Sequence, residues 1–225
     1  VCSSDLWMWD AWATQSSRSI VYYDQAILTY QVVGPGAVTH LWITVAASEF
    51  AWPRLLRLRV YYDGSAVPSV DAPLGDFFAV GHGQERPVQS LMVRVSSDGR
   101  SRNSYWPMPF RRGCRITLTN EGRRRVTAVY HHVDWQRLPA LPASTLYFHA
   151  RYRQALPSSG GAPYEVLAVG QGRPTRGHYV GTVLSAQLGD VQTQLPDQPG
   201  QRYADDVASR EKDIVANVMV RYALE

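Results

Sequence analysis

A single lysine, Lys212, stands against 22 arginines in this chain. Lysine and arginine number 23 against 19 aspartates and glutamates, a net charge of +4. A cation set made almost wholly of arginine is what a GC-rich coding sequence produces, whereas a surface built for a polyanion ordinarily recruits both cations. No nucleic-acid partner is expected. Cysteine is nearly as scarce: of the two, Cys2 lies in the opening segment, so Cys114 stands alone. That excludes a disulfide framework, a zinc-ligand spacing and a CxxC redox pair, and with them any reading of redox compartment. No apolar run reaches the roughly 18 residues of a membrane helix. No charged stretch followed by an apolar core marks a targeting signal, so the sequence assigns no localisation. Charged residues make up 19% and hydrophobic ones 45%, which excludes a disordered tail or a coiled coil.

What is present is alternation. Leu56-Arg57-Leu58-Arg59-Val60-Tyr61-Tyr62 places apolar residues at every second position before an Asp63-Gly64 turn. This predicts a half-buried strand with Leu56, Leu58 and Val60 inside and Arg57 and Arg59 toward water. Arg115 to Thr119 repeats the pattern, with Ile116 and Leu118 inside and Arg115 and Thr117 more exposed. A turn at Asn120-Glu121-Gly122 leads to Val126 to Asp134, and the two segments read as a hairpin. Further strands are expected at Ala26 to Val33, Val38 to Val45, Leu91 to Ser96, Thr145 to Arg153, Tyr164 to Val169 and His178 to Ala186. Many short strands separated by Gly, Pro and Asp clusters predict an all-β chain, a β-sandwich or jelly roll.

The ends read differently. Val1-Cys2-Ser3-Ser4-Asp5-Leu6 resembles a translated sequencing adapter and is set apart as residues 1–6. Residues 7–138 read as a first jelly roll, closed by Leu138-Pro139-Ala140-Leu141-Pro142, and residues 143–190 as part of a second. Residues 191–225 hold a Gln/Pro-rich linker, Gln192 to Arg202, and an expected C-terminal helix. That helix rests on Val207, Ala208, Ile214, Val215, Val218, Met219 and Tyr222 at helical spacing.

Two loops carry polar and aromatic groups together. Pro73-Leu74-Gly75-Asp76-Phe77-Phe78 is followed by Gly81-His82-Gly83. An acid and an imidazole beside aromatics can hold a polyol by hydrogen bonding and stacking; an N-cap or turn aspartate with two core phenylalanines is the alternative. Asn103-Ser104-Tyr105-Trp106-Pro107-Met108-Pro109-Phe110 is the second, with a proline-bracketed core plug as the equal alternative. Asp76, Phe77, His82, Asn103, Tyr105 and Trp106 form the expected substrate-binding set, converging on one concave surface. His131-His132 lies on a strand, where neighbours face opposite sides, so the two cannot share a metal. No G-x-S-x-G marks a serine nucleophile, Gly170-Gln171-Gly172 reads as a turn, and no metal or cofactor is expected. The runs Arg111-Arg112 and Arg123-Arg124-Arg125 read as solvated edge charge.

Several stretches, in order, resemble glycoside hydrolase family 172. They are Gly34-Pro35-Gly36 with His40 and Trp42, Tyr62-Asp63-Gly64, Pro68-Ser69-Val70, the Pro73 to Phe78 and Gly81 to Gly83 loops, Tyr105 to Phe110, Ile116 to Gly122, Tyr147-Phe148-His149-Ala150 and Gly177 to Thr182. The resemblance implies tandem jelly rolls, trimer-based homo-oligomers, and retaining exo-hydrolysis or transfer of furanosides such as α-D-fructofuranosides or D-arabinofuranosides. It also implies two catalytic glutamates, in Trp-Gly-Glu-Gly-Asp-like and Gly-Thr-Glu-Asp-Tyr-like segments shortly after the Gly-His-Tyr-Val-Gly-Thr strand. That strand runs here through Leu184-Ser185-Ala186-Gln187, and neither motif follows; Glu211 and Glu225 lack the glycine-aromatic context. Retention needs a nucleophile and an acid/base carboxyl about 5 Å apart, so the expectation is a furanosidase fragment inactive as it stands. A non-catalytic jelly roll that binds glycan or builds an assembly is the competing expectation.

Overall fold

The computed structural model describes the backbone over residues 12–21, 26–155, 165–168, 177–188 and 212–222, and side chains over 30–154, 165–168 and 177–183. Two seven-stranded sheets face each other. The first contains β1 (Trp12–Val21), β3 (Gly36–Ala46), β6 (Val88–Gln89), β7 (Val93–Ser96), β8 (Ser101–Ser104), β9 (Met108–Phe110) and β11 (Val126–Arg137). It runs in the order β1-β11-β3-β8-β7-β6, with β9 also paired to β3. The second contains β2 (Ala26–Val33), β4 (Leu56–Tyr62), β5 (Val70–Pro73), β10 (Gly113–Asn120), β12 (Tyr147–Ala155), β13 (Gly177–Leu188) and β14 (Lys212–Tyr222), in the order β13-β14-β12-β5-β4-β10-β2. Successive strands pass repeatedly between the sheets, the connectivity of a jelly-roll sandwich. Two single-turn helices, α1 (Trp52–Leu55) and α2 (Leu74–Phe77), fill one corner.

Period-two alternation explains this core directly. Leu56, Leu58, Val60 and Tyr62 are buried along β4 while Arg57, Tyr61 and Arg59 face outward. Each fully buried aliphatic side chain contributes about 1.5–3 kcal/mol through the water it leaves. Val38, Leu41, Ile43, Met108, Phe110, Val129 and Val133 answer from the other sheet. One cation lies among them: Arg102 is fully buried with its guanidinium over the Trp52 ring at 4.6 Å. Desolvation brings its pKa down to about 10.

Several expectations change. Thr117 is buried rather than exposed. It stands opposite Arg59 on a central strand, where long arginine stems shield a short side chain. The segments Arg115–Thr119 and Val126–Asp134 are no hairpin, because β10 and β11 belong to different sheets. The connection is a sheet-to-sheet corner held by Asn120, whose Oδ1 accepts from Gly122 N–H and whose Nδ2 donates to the Arg124 carbonyl. The helix expected near the C-terminus is instead the strand β14, paired with both β12 and β13. Ile214 to Val220 is an almost unbroken apolar run that satisfies either period, and β-branched Ile214, Val215, Val218 and Val220 favour the strand. Glu165 to Ala168 forms no strand; the rest of the candidate Tyr164–Val169 lies outside the described residues. So do residues 1–6, the Gln192–Arg202 linker and Gly170-Gln171-Gly172. The strand β1 went unpredicted, since Trp12–Val21 is rich in serine and shows little apolar alternation. The Leu138–Pro142 link leads straight into β12, which pairs in parallel with β5.

His131 is buried and His132 exposed, as opposite faces of β11 require. His149, on β12, is buried, and burial together with the charge of Arg151 brings its pKa down to about 4. The unfolded chain therefore binds a proton at a pH where the fold does not. The stability this contributes is complete above about pH 6.5 and is lost as pH falls through about 4, roughly 3 kcal/mol in all. Thermal unfolding of wild type and His149→Gln from pH 7 to pH 4 checks this: the variant is expected to have a flatter profile, and parallel profiles would contradict it.

Candidate functional site

The outer face of the first sheet gathers the polar and aromatic groups. Pairing of β3 with β11 shifts register between Asp134 and Trp135, so that Asp134 faces His40 while Trp135 faces Val38. Thr39 is the extra residue of this β-bulge, and its hydroxyl donates to the Asp134 carbonyl at 3.2 Å. Bulges re-aim side chains. Beyond this one, His40 and Trp42 share the outer face with Asp134 and His132, while Val38, Leu41 and Ile43 stay in the core.

The groups then lock together. His40 Nδ1 lies 2.9 Å from Asp134 Oδ2, and its Nε2 lies 3.1 Å from Asn103 Oδ1 on β8. Asn103 Nδ2 faces the Arg94 carbonyl at 3.4 Å, which orients the amide with its oxygen toward the imidazole. The Tyr105 ring stacks on His40, centroids 4.9 Å apart and planes 9° apart, and stays 44% exposed. Trp42 donates from Nε1 to Ser101 Oγ and leans on His132. The result is a half-open aromatic plate rimmed by a carboxylate, an amide and an imidazole, all held by neighbours. Such a surface can stack on the apolar face of a sugar and hydrogen-bond its hydroxyls. Both imidazole nitrogens already lie within hydrogen-bond reach of protein oxygens, so the ring meets a ligand through its face and through Tyr105.

Of the six residues singled out in the sequence, Asn103 and Tyr105 meet here. Trp106 turns inward and stacks on Phe148 at 5.2 Å, its Nε1 buried with no partner among the described residues. Asp76 and Phe77 expose none of their surface. The Asp76 carboxylate faces the Arg54 guanidinium at 3.4 Å, and Phe77 sets its ring edge-on against Phe78. His82 sits at a positive φ of 58° in the corner beside α1. A Cβ on Gly83 would meet the Ala51 Cβ at 2.6 Å, so this loop needs its glycine to pass that close. Sequence reasoning missed the roles of His40 and Asp134. The available signal was positional: both occupy outward positions of adjoining strands, but the bulge that aligns them is a property of pairing.

Most of the described carboxylates are committed elsewhere, while Glu85 and Asp98 lie exposed in loops. Glu49 accepts the N–H groups of Arg124 and Arg123, which hold its carboxyl below the ordinary range. Burial works to raise the Asp71 carboxyl, but Arg57, hydrogen-bonded to it at 2.6 Å, with Arg59 and Arg151, brings it below the ordinary value. Arg59 also pairs with Glu121, and Arg153 with Glu165. Asp63 accepts the N–H groups of Arg111, Arg112 and Gly113 at Oδ1 and the Tyr147 hydroxyl at Oδ2. Burial and that bond push the Tyr147 phenol up to about 12. Among the described residues no group of three or more His, Cys, Asp and Glu side chains could hold a metal.

Fold and site together define a two-sheet β-sandwich with a polar-aromatic plate on one outer face. The family model described as the GH172 first beta-sandwich domain matches residues 8–154. The chain belongs to glycoside hydrolase family 172. No curated protein matches it. Among solved structures it is similar to one titled "Crystal Structure of the STIV MCP", at 10% identity and a TM-score of 0.45, over 94% of this chain and 95% of that one.

Proposed function

We propose that this chain is the sugar-facing sandwich of a furanoside-acting hydrolase or transferase, that it binds furanosides on the Tyr105–His40 plate, and that it holds no catalytic pair of its own. The observation carrying this reading is the stack of Tyr105 on His40, flanked by Asn103 and Asp134, on a solvent-facing sheet surface. Furanoside chemistry comes from the family resemblance, as does a trimer-based assembly of the intact protein. The reading of no turnover rests on the sequence, which carries neither glutamate motif that the resemblance implies, whereas retention needs two carboxyl groups. Asp76 then acts from the interior, bracing the α1–α2 corner through Arg54. Nuclear magnetic resonance titration with methyl furanosides is the test. Binding in the millimolar range is expected, weakened about tenfold or more by Tyr105→Ala, since a stacked ring contributes about 1–2 kcal/mol. Equal binding by wild type and Tyr105→Ala would refute the plate.

A further inference from the structure

A second site lies on the other sheet. A cavity of about 350 Å³ opens where β2, β10 and the β4–β5 loop meet, lined among others by Gln31, Tyr61, Asp63, Arg112 and Arg115. That volume suits a small molecule. Arg115 stands in register with Gln31 on one side and Tyr61 on the other. Its guanidinium carbon lies 3.9 Å from the centre of the Tyr61 ring, a stack that fixes the plane of the fork while leaving its N–H edges free. Arg112 gives one donor, Nη2, to the Asp63 carbonyl at 2.6 Å.

The one acid lining this cavity is already spent. Asp63 Oδ1 receives three backbone N–H groups and Oδ2 receives the Tyr147 hydroxyl. Neither Arg112 nor Arg115 forms an ion pair with a carboxylate among the described residues, in contrast to Arg54, Arg57, Arg59 and Arg153. Two guanidinium groups thus share a concave site with the Asp63 carboxylate, whose oxygens are turned to backbone N–H groups and the Tyr147 hydroxyl rather than to either guanidinium. Planar forks of this kind recognise carboxylates and phosphates through paired N–H donors.

We infer that this cavity binds a small oxyanion, the carboxylate of an acidic sugar or a phosphate monoester, with Arg115 and Arg112 as its donors and Gln31 as a neutral rim contact. The site is separate from the Tyr105–His40 plate and stands or falls independently of it. Titration calorimetry on the full chain tests it, with inorganic phosphate, D-glucuronate and neutral D-glucose as probes. Phosphate or glucuronate is expected to bind, the tighter of the two identifying the source, and glucose to give no heat through this site. Arg115→Gln should weaken the anion at least tenfold. Gln31→Glu leaves both guanidinium groups in place but supplies an internal counter-ion beside Arg115, and should weaken it equally while leaving Tm within a degree or two. Absence of binding by both anions would overturn the inference, as would undiminished binding in Gln31→Glu and Arg115→Gln. Tighter binding of a DNA oligonucleotide than of either small anion would replace it with a diffuse basic surface.

Discussion

Asp63→Ala is expected to destabilise the fold by about 3–5 kcal/mol. One carboxylate caps the turn that starts β10 by receiving the N–H groups of Arg111, Arg112 and Gly113 at 2.9, 2.6 and 3.1 Å, and it ties that turn to β12 through the Tyr147 hydroxyl. Hydrogen bonds to a charged group contribute about 1.5–3 kcal/mol each before the partners find water. Asp63 also sits at φ 57°, a left-handed conformation that aspartate tolerates better than alanine. A domain of this kind has only about 5–15 kcal/mol to lose. Asp63→Asn keeps the shape and one acceptor oxygen and should cost less than half as much. Urea unfolding compares the three proteins; a loss under about 1 kcal/mol in Asp63→Ala would show that the backbone of the turn holds without its carboxylate.

Much of the sandwich was legible because its inner strands obey a single rule. Leu56 to Tyr62 announces itself by alternation and burial follows it residue by residue, and Val38 to Val45 does the same except at the Thr39 bulge. Strands whose sequence satisfies two periods at once, such as Ile214 to Val220, or none, such as Trp12–Val21, are settled by their neighbours instead. Pairing with β12 and β13 decides the first, and pairing with β11 decides the second. Which sheet a strand joins is likewise not local information, and so β10 and β11 read as a hairpin while they lie in different sheets.

The site shows the same division. Tyr105 and Asn103 were readable as polar and aromatic groups on one loop and strand end. Their partners His40 and Asp134 lie 94 positions apart in the chain, and a one-residue bulge at Thr39 brings them level. Asp76 illustrates the converse: in sequence an acid between glycine and two phenylalanines suits a sugar loop equally well as a corner. Its burial against Arg54 follows from how α1 and α2 pack, which no local pattern encodes.

Turnover is the most direct measurement. Retention divides nucleophile and acid/base between two carboxyl groups about 5 Å apart, both able to reach the anomeric centre. Here Asp134 is bonded to His40, Asp76 is sealed against Arg54, and Asp71, Glu121 and Glu165 are paired to arginines. Neither glutamate motif expected of the family follows Thr182 in the sequence. A lone carboxylate can orient a hydroxyl but cannot serve as nucleophile and proton donor at once. Incubation of residues 1–225 with a panel of nitrophenyl furanosides is predicted to release no nitrophenol above the buffer rate, even at substrate concentrations where binding is detectable. Release that is abolished by Asp76→Asn or Glu165→Gln would contradict the account, placing the active carboxylates within this chain.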